Sequence, residues 1–299
     1  MIEFINDVEK RLIKTTVDPM IMFEEEPLMM FVAIRAVSES GFDLHGTIYN
    51  AILKKEGLLA NVSTDSVREE LEAVITAEYA GKGLKMLIGT GLIRHIVGTE
   101  LAANMSKYAK SELVGLAENI DKTKRVRARR LGLFYLCFEK KEALEAIKML
   151  NFDAETKGLL IDAATIFDKI NFLANTFELK QFIVRHGIER YEYLHNLSKA
   201  KRIVYDLDDT KIKSRNFLMD YIEERGEPVF LEELDVDRYD IINNGIAGEE
   251  KVDEILSVLL ELVHEYPQKN TKKILLAHAQ KHANNPVSAV FQKMPRWLR

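Results

Sequence analysis

The sequence predicts an all-α protein, an elongated array of helices. Apolar residues recur at three- and four-residue spacing nearly from end to end, the period of a helix with one buried face. Strand-like two-residue alternation is almost absent, and prolines (6) and glycines (15) are few for 299 residues. The pattern therefore predicts helix throughout and no sheet of three or more strands.

Composition bounds the function. Hydrophobic residues make up 47% and charged residues 30%, an ordinary globular balance, and the length allows two or three compact units. The formal net charge is −5, so any nucleic-acid contact must be a local basic patch rather than a general property of the surface. A single cysteine, Cys137, excludes an internal disulfide framework and suits a reducing cytoplasm. There is no apolar run of membrane length and no signal-peptide pattern, so no membrane partner is expected.

The elements follow in order. Glu24, Glu25 and Glu26 precede Pro27, which reads as a helix N-terminus with negative charge in place and proline in the first turn. Leu28, Phe31, Val32 and Ile34 continue that helix, and Gly41 ends it. Ile48, Ile52 and Leu53 form the next stripe, closed by Gly57. Val67, Leu71, Val74 and Ile75 form another, with Ser63 or Thr64 as its cap, and Lys85 to Ile88 belong to a third. Lys122 to Arg130 (KTKRVRARR) places six basic residues in nine: Lys122, Lys124, Arg125, Arg127, Arg129 and Arg130. On a continuous helix Arg125 and Arg129 would share a face and Arg127 would point away. The run reads either as a solvated helix start beside the apolar stretch Leu131 to Phe138 or as a phosphate-contacting patch. Leu159, Leu160, Ala163, Ile166, Phe167 and Ile170, then Phe182, Tyr191, Leu194 and Leu197, keep helical period and read as core.

The wording of two stretches carries more than their periodicity. FEEEPLMMFVAIRAV, GF, VSTDSVREEL and GKGLKMLIGTGL, within residues 23–97, resemble the neck of bacterial class II CCA-adding enzymes and poly(A) polymerases. That family reads F-x-E-D-P-L-R-M-L-R-A-I-R-F-A, L-G-F, V-S-x-E-R-I-R-E-E-L and P-G-K-G-L-x-L-L-x-x-T-G-L. The segment from Pro228 to Asn270 is similar to the family's tail, with Phe230-Leu231, Val236-Asp237, Gly245-Ile246 and Leu259-Leu260-Glu261 in place. Two family glycines there are replaced by Arg238 and Asp253, which puts the tight turns in question. The resemblance implies a remnant of the head–neck junction at 1–22, a neck-like domain at 23–98, a body-like domain at 99–226 and a tail-like domain at 227–299.

It also implies where function is lost. The family's acidic residue and arginine that read the incoming nucleotide's base edge correspond to Glu26 and Met29. A further neck arginine corresponds to Val32, the arginine of V-S-x-E-R corresponds to Ser66, and only Arg35 survives. Methionine cannot supply the charged fork that pairs with a base edge. In residues 1–22, Asp7-Val8 would close the family's G-G-x-x-D-L segment, with Glu3 and Phe4 at its glycines. The head's G-S signature, D-x-D metal pair and R-R-D segment have no counterpart in these 299 residues. A metal dyad H-D found in many relatives corresponds to Leu136-Cys137.

Three further motifs point to structure rather than chemistry. YDLDDT, Tyr205 to Thr210, mimics a phosphatase opening, but its flanks read as helix, so Asp208 and Asp209 are expected to cap the helix that follows. GKGLKMLIGTGL lacks the spacing of a phosphate loop, and its glycines are expected to punctuate helices. His278 and His282 share a helix face but lack the accompanying glutamate of a zinc protease.

The resemblance implies an RNA-binding module that recognises tRNA or tRNA-like RNA by shape and phosphate. No catalytic residue, metal or cofactor is expected in this chain. Magnesium and CTP or ATP would belong to a nucleotidyltransferase head, fused or separate. The chain reads as part of a longer enzyme or as a stand-alone degenerate paralogue. The rival reading is a helical interaction or scaffold protein derived from the same family. A cytoplasmic location fits all three.

Overall fold

A computed structural model describes residues 4–284. Glu3, compared above with a family glycine, lies outside them. The protein is mostly helical, as expected, but it also holds a small three-stranded sheet. β1 (Phe4–Asp7) pairs antiparallel with β2 (Leu12–Thr15), and β2 pairs in parallel with β3 (Asp43–Leu44). The expectation of no such sheet is therefore corrected. Strands of four, four and two residues are too short to show an alternation, and the β2–β3 pairing joins residues some 30 positions apart. The chain divides into two compact units, 4–171 with 192–209 and 172–191 with 210–284 among the described residues.

The first unit begins with α1 (Pro19–Glu25), capped by Asp18, whose carboxylate accepts the Met20 N–H at 2.9 Å. Here the sequence reading fails in an informative way. Glu24 and Glu25 lie in the last turn of α1, the end a helix dipole makes negative, and Pro27 sits in the turn before α2 (Met29–Ser40). Lys55 pairs with Glu24 and offsets part of that placement. α2 ends as predicted at Gly41, whose φ of +69° is a left-handed conformation open to glycine. α3 (Gly46–Lys55) buries Ile48, Ala51 and Ile52 but leaves Leu53 exposed, because Leu53 stands about 100° round the helix from Ile52 and off the buried face; a short 3₁₀ turn from Glu56 to Asn61 follows.

α4 (Thr64–Thr76) is capped by Ser63, which accepts the Ser66 N–H, and buries Val67, Leu71, Val74 and Ile75. α5 (Ala80–Gly89) packs on α2, α4 and α8 (Lys107–Asn119), with α6 (Arg94–Val97) and α7 (Thr99–Asn104) between. Gly81 and Gly83 sit inside α5, not between helices, so the expectation that they punctuate is corrected. A Cβ on Gly81 would stand 2.2 Å from the Ala117 carbonyl oxygen, and one on Gly83 would stand 1.9 Å from Ser38 Oγ. They are there so that α5 can approach its neighbours.

α9 (Arg127–Tyr135), α10 (Lys140–Met149) and α11 (Ala154–Ile166) complete the packing; α9 lies against α4 and α11. Leu131, Leu133, Phe134, Tyr135 and Cys137 are fully buried, and burial pushes the Cys137 thiol up to about 12. Leu136-Cys137 thus sits at the end of α9, with Cys137 in the core.

The second unit contains α12 (Thr176–His186), the start of α13 (Ile188–Tyr205), α14 (Thr210–Arg225), α15 (Arg238–Asn243), α16 (Glu249–Glu265) and α17 (Lys272–Asn284). Tyr205 ends α13 and α14 starts at Thr210, so no strand leads into YDLDDT. Leu234, Val236, Ile241, Val252, Ile255, Leu259, Val263 and Leu275 form one core. No tight turn occurs at Arg238 or Asp253. Both are helical, and they pair with each other at 2.7 Å in an exposed salt bridge between α15 and α16. No helix among the described residues is long and apolar enough to cross a membrane.

A buried polar contact in this unit gives a pH test. His264 donates Nε2–H to the Val229 carbonyl at 2.9 Å, while Nδ1 accepts from Gln181 at 2.9 Å. Burial, opposed by the Val229 bond and aided by nearby Lys180, lowers the imidazole to about 4. The unfolded chain therefore takes up a proton below pH 6.5 that the folded chain refuses, and stability falls as pH drops from about 6.5 towards 4. Between pH 7 and pH 5 wild type is expected to lose on the order of 2 kcal/mol more stability than His264→Gln, read as urea midpoints. Parallel losses in the two proteins would contradict this.

Candidate nucleic-acid interface

Two groups of residues were expected to meet a ligand, and the structure treats them differently. The neck positions lie along the seam of α2 and α4. Glu26 is exposed in the turn between α1 and α2, its N–H donating to the Met22 carbonyl at 2.9 Å. Met29 is buried, and Val32 is half-buried one turn along. Arg35 donates Nη1–H to Glu70 Oε1 at 2.6 Å and has Glu39 at 3.6 Å. Ser66, one turn before Glu70 on α4, forms part of the Ser63 cap, with their hydroxyls 2.9 Å apart. The surviving arginine is thus held by carboxylates. Burial raises the Glu70 carboxyl, and the Arg35 guanidinium pulls the other way.

The basic run does not form one helical face. Lys122 ends a 3₁₀ turn, residues 123–126 are extended or irregular, and α9 begins only at Arg127. Arg125 is therefore not on a helix with Arg129. Lys122 donates to Asn119 Oδ1 at 2.7 Å, and Arg125 stands 3.5 Å from Glu78 in an exposed pair worth little. Arg127 reaches Glu72 at 3.0 Å, Asp153 at 2.9 Å and Thr156 at 2.5 Å, joining α4, α9 and α11; the carboxylates raise Arg127 against its burial, and Asp153 is lowered to about 2, chiefly by the Thr156 bonds it accepts and then by Arg127. Arg130 is fully buried and cannot touch a phosphate; it is removed from the patch. Lys122, Lys124, Arg125 and Arg127 are exposed and Arg129 is half-exposed; Lys122 is taken up by Asn119 and Arg127 by Glu72 and Asp153, which leaves Lys124, Arg125 and Arg129 as the least committed cations of the run.

One signal was overlooked in the sequence. No aspartate or glutamate follows Glu265, while seven lysines and arginines do, in a chain whose net charge is −5. Within the described residues this segment includes α17. Lys273 and Lys281 are exposed there, Lys272 pairs with Asp240 at 2.5 Å, and Lys269 lies over the Tyr266 ring at 3.9 Å. His278 and His282 do share this helix, but among the described residues no three His, Cys, Asp or Glu side chains group as a metal site would require. That imbalance is legible in the sequence, but it is spread over 34 residues and lacks the local density of the run at 122–130.

Residues 41–105 match a family model described as the probable RNA- and SrmB-binding site of polymerase A. The CCA-adding enzyme of Bacillus pumilus is 36% identical over 94 residues, which is 31% of this chain and 24% of that protein. Among solved structures, the CCA-adding enzyme of Bacillus stearothermophilus in complex with CTP aligns with a TM-score of 0.72 at 21% identity, over 94% of this chain and 68% of that one. A Thermotoga maritima CCA-adding enzyme complexed with tRNA aligns at 0.53 and 15% identity, over 91% and 64%. The chain thus matches only about a quarter of its curated relative in sequence, while sharing the fold across nearly all its length. Residues 41–105 thus resemble the probable RNA- and SrmB-binding site of polymerase A, and the mostly helical fold is similar to that of the CCA-adding enzymes.

Proposed function

We propose that this chain is an RNA-binding helical module of the CCA-adding type, gripping tRNA or a tRNA-like RNA by shape and phosphate, with a neck that no longer reads a nucleotide. The match of residues 41–105 to an RNA-binding segment carries the reading. The neck supports its second half, since Met29 is buried and Arg35 is committed to Glu70. Magnesium and CTP or ATP chemistry would fall to a nucleotidyltransferase head, fused or separate. The contact surface proposed is Lys124, Arg125 and Arg129, together with the lysines of α17. Arg127 and Arg130 act as structural ties instead.

The test is tRNA filter binding across a salt series. Each phosphate contact adds roughly 0.7–0.9 to the salt slope, so Lys124→Ala/Arg125→Ala/Arg129→Ala is expected to lose about two units. An unchanged slope would move the surface elsewhere. The rival scaffold reading draws on one observation: within residues 41–105, Arg68, Lys82 and Arg94 are each held by carboxylates. Absence of tRNA binding by wild type at low salt would favour it.

A further inference from the structure

Helix α14 carries an unusual exposed face. Lys213, Phe217, Tyr221 and Arg225 follow at four-residue spacing and so form one stripe. Phe217 is 66% exposed, and its ring centroid lies 6.2 Å from that of Tyr221. Arg225 covers the Tyr221 ring at 4.6 Å. At the start of the helix Lys211 lies 5.8 Å from the ring of Phe172, which is 76% exposed. All six residues belong to the second unit.

The surroundings say what such rings could meet. The apolar neighbours Ile212, Leu218 and Ile222 face the core, and the exposed residues beside Phe217 are Lys213, Ser214 and Asn216. The Phe217–Tyr221 pair therefore stands among exposed polar residues of its helix rather than in a broad apolar patch of the kind a protein interface needs. Charge is also polarised along the helix. At the surface, residues 210–219 hold Lys211 and Lys213 with no acid, Arg215 being buried, while the exposed Asp220, Glu223 and Glu224 follow. Aromatic faces interleaved with cations are the chemistry that binds unpaired nucleic-acid bases: the rings stack on bases and the cations meet the phosphates. The ring separation is roughly twice the ~3.4 Å spacing of stacked bases, which suits a strand whose bases are splayed apart.

We propose that the Phe172–Lys211–Lys213–Phe217–Tyr221 face is a stacking platform for two or three unpaired RNA nucleotides, with the acids after Met219 ending its footprint. This rests on the RNA-binding reading and adds a single-stranded site to it. The test is fluorescence anisotropy with a labelled adenylate decamer and with a 12-base-pair RNA hairpin. Wild type is expected to bind both. Phe217→Ala/Tyr221→Ala should weaken decamer binding tenfold or more while leaving hairpin affinity within twofold. Phe217→Trp should keep or tighten decamer binding. Both rings are surface groups, and an unchanged melting temperature would certify the variants. Unchanged decamer affinity in the double variant, or hairpin binding without decamer binding in wild type, would overturn the platform alone. Binding of neither RNA by wild type would overturn the RNA reading and the platform with it.

Discussion

Arg130→Ala is expected to destabilise the protein by about 3–5 kcal/mol, read from urea midpoints, although it removes one of six charges that look like a surface cluster. The reason lies in what the guanidinium satisfies. α4 ends at Thr76, and the last carbonyls of a helix have no partner within it. Arg130 donates Nη1–H to the carbonyls of Ile75 and Ala77 at 3.0 Å each, so a residue of α9 closes the C-terminus of α4 with a positive charge where the helix dipole is negative. Its other arm donates to the Thr123 carbonyl at 2.8 Å, and Nε donates to the Thr123 hydroxyl at 3.3 Å, which fixes the loop leading into α9. Burial lowers the Arg130 pKa, with Asp121 opposing, but a guanidinium stays charged there. Alanine would strand buried carbonyls on both sides and leave a cavity. Lysine should fall between, because one ammonium cannot reach carbonyls at both arms of the fork. Arg129→Ala, one residue away and half-exposed, should cost within about 0.5 kcal/mol. Equal small effects at 129 and 130 would refute the assignment.

Gly81→Ala is expected to cost at least about 2 kcal/mol, against the usual gain of up to ~1 kcal/mol for replacing glycine by alanine inside a helix. The sign reverses because the new methyl would sit 2.2 Å from the Ala117 carbonyl oxygen and 3.1 Å from Asp121 Oδ2. The first is backbone of α8 and cannot rotate away, so α5 and α8 must separate. That shift also strains the bond from the Gly81 N–H to Asp121 Oδ1, 3.0 Å in length. Gly83→Ala meets a side chain instead, Ser38 Oγ at 1.9 Å, with Val74 Cγ1 at 2.8 Å. Ser38→Ala should therefore recover part of the Gly83→Ala loss and none of the Gly81→Ala loss. Thermal midpoints of the four variants decide this, and rescue of Gly81→Ala by Ser38→Ala would show that the clash had been misplaced.

What the sequence determined by itself is local. The helical class follows from apolar spacing, which fixes the faces that Val67, Leu71, Val74 and Ile75 bury. Ser63 as a cap and Gly41 as a stop follow from chemistry within four residues of each position. The kinship of residues 23–97 is legible because a run of identical residues in order is itself sequence information.

Tertiary structure decided the rest, and each case turns on a partner far along the chain. The three-stranded sheet depends on Ile13 meeting Leu44. The role of Gly81 depends on Ala117, and that of Gly83 on Ser38. Glu24 and Glu25 end one helix rather than begin the next because Asp18 and Pro19 already start α1 seven residues earlier, a signal hidden by the stronger-looking acidic run before Pro27. The candidate site shows the limit most plainly. Lys124, Arg125, Arg127, Arg129 and Arg130 read alike as letters, yet Arg130 caps a helix 53 to 55 residues before it, Arg127 ties three helices, and the other three face solvent. A cation's role is set by which carbonyl or carboxylate lies within about 3 Å of its nitrogens, and only folding brings those groups together.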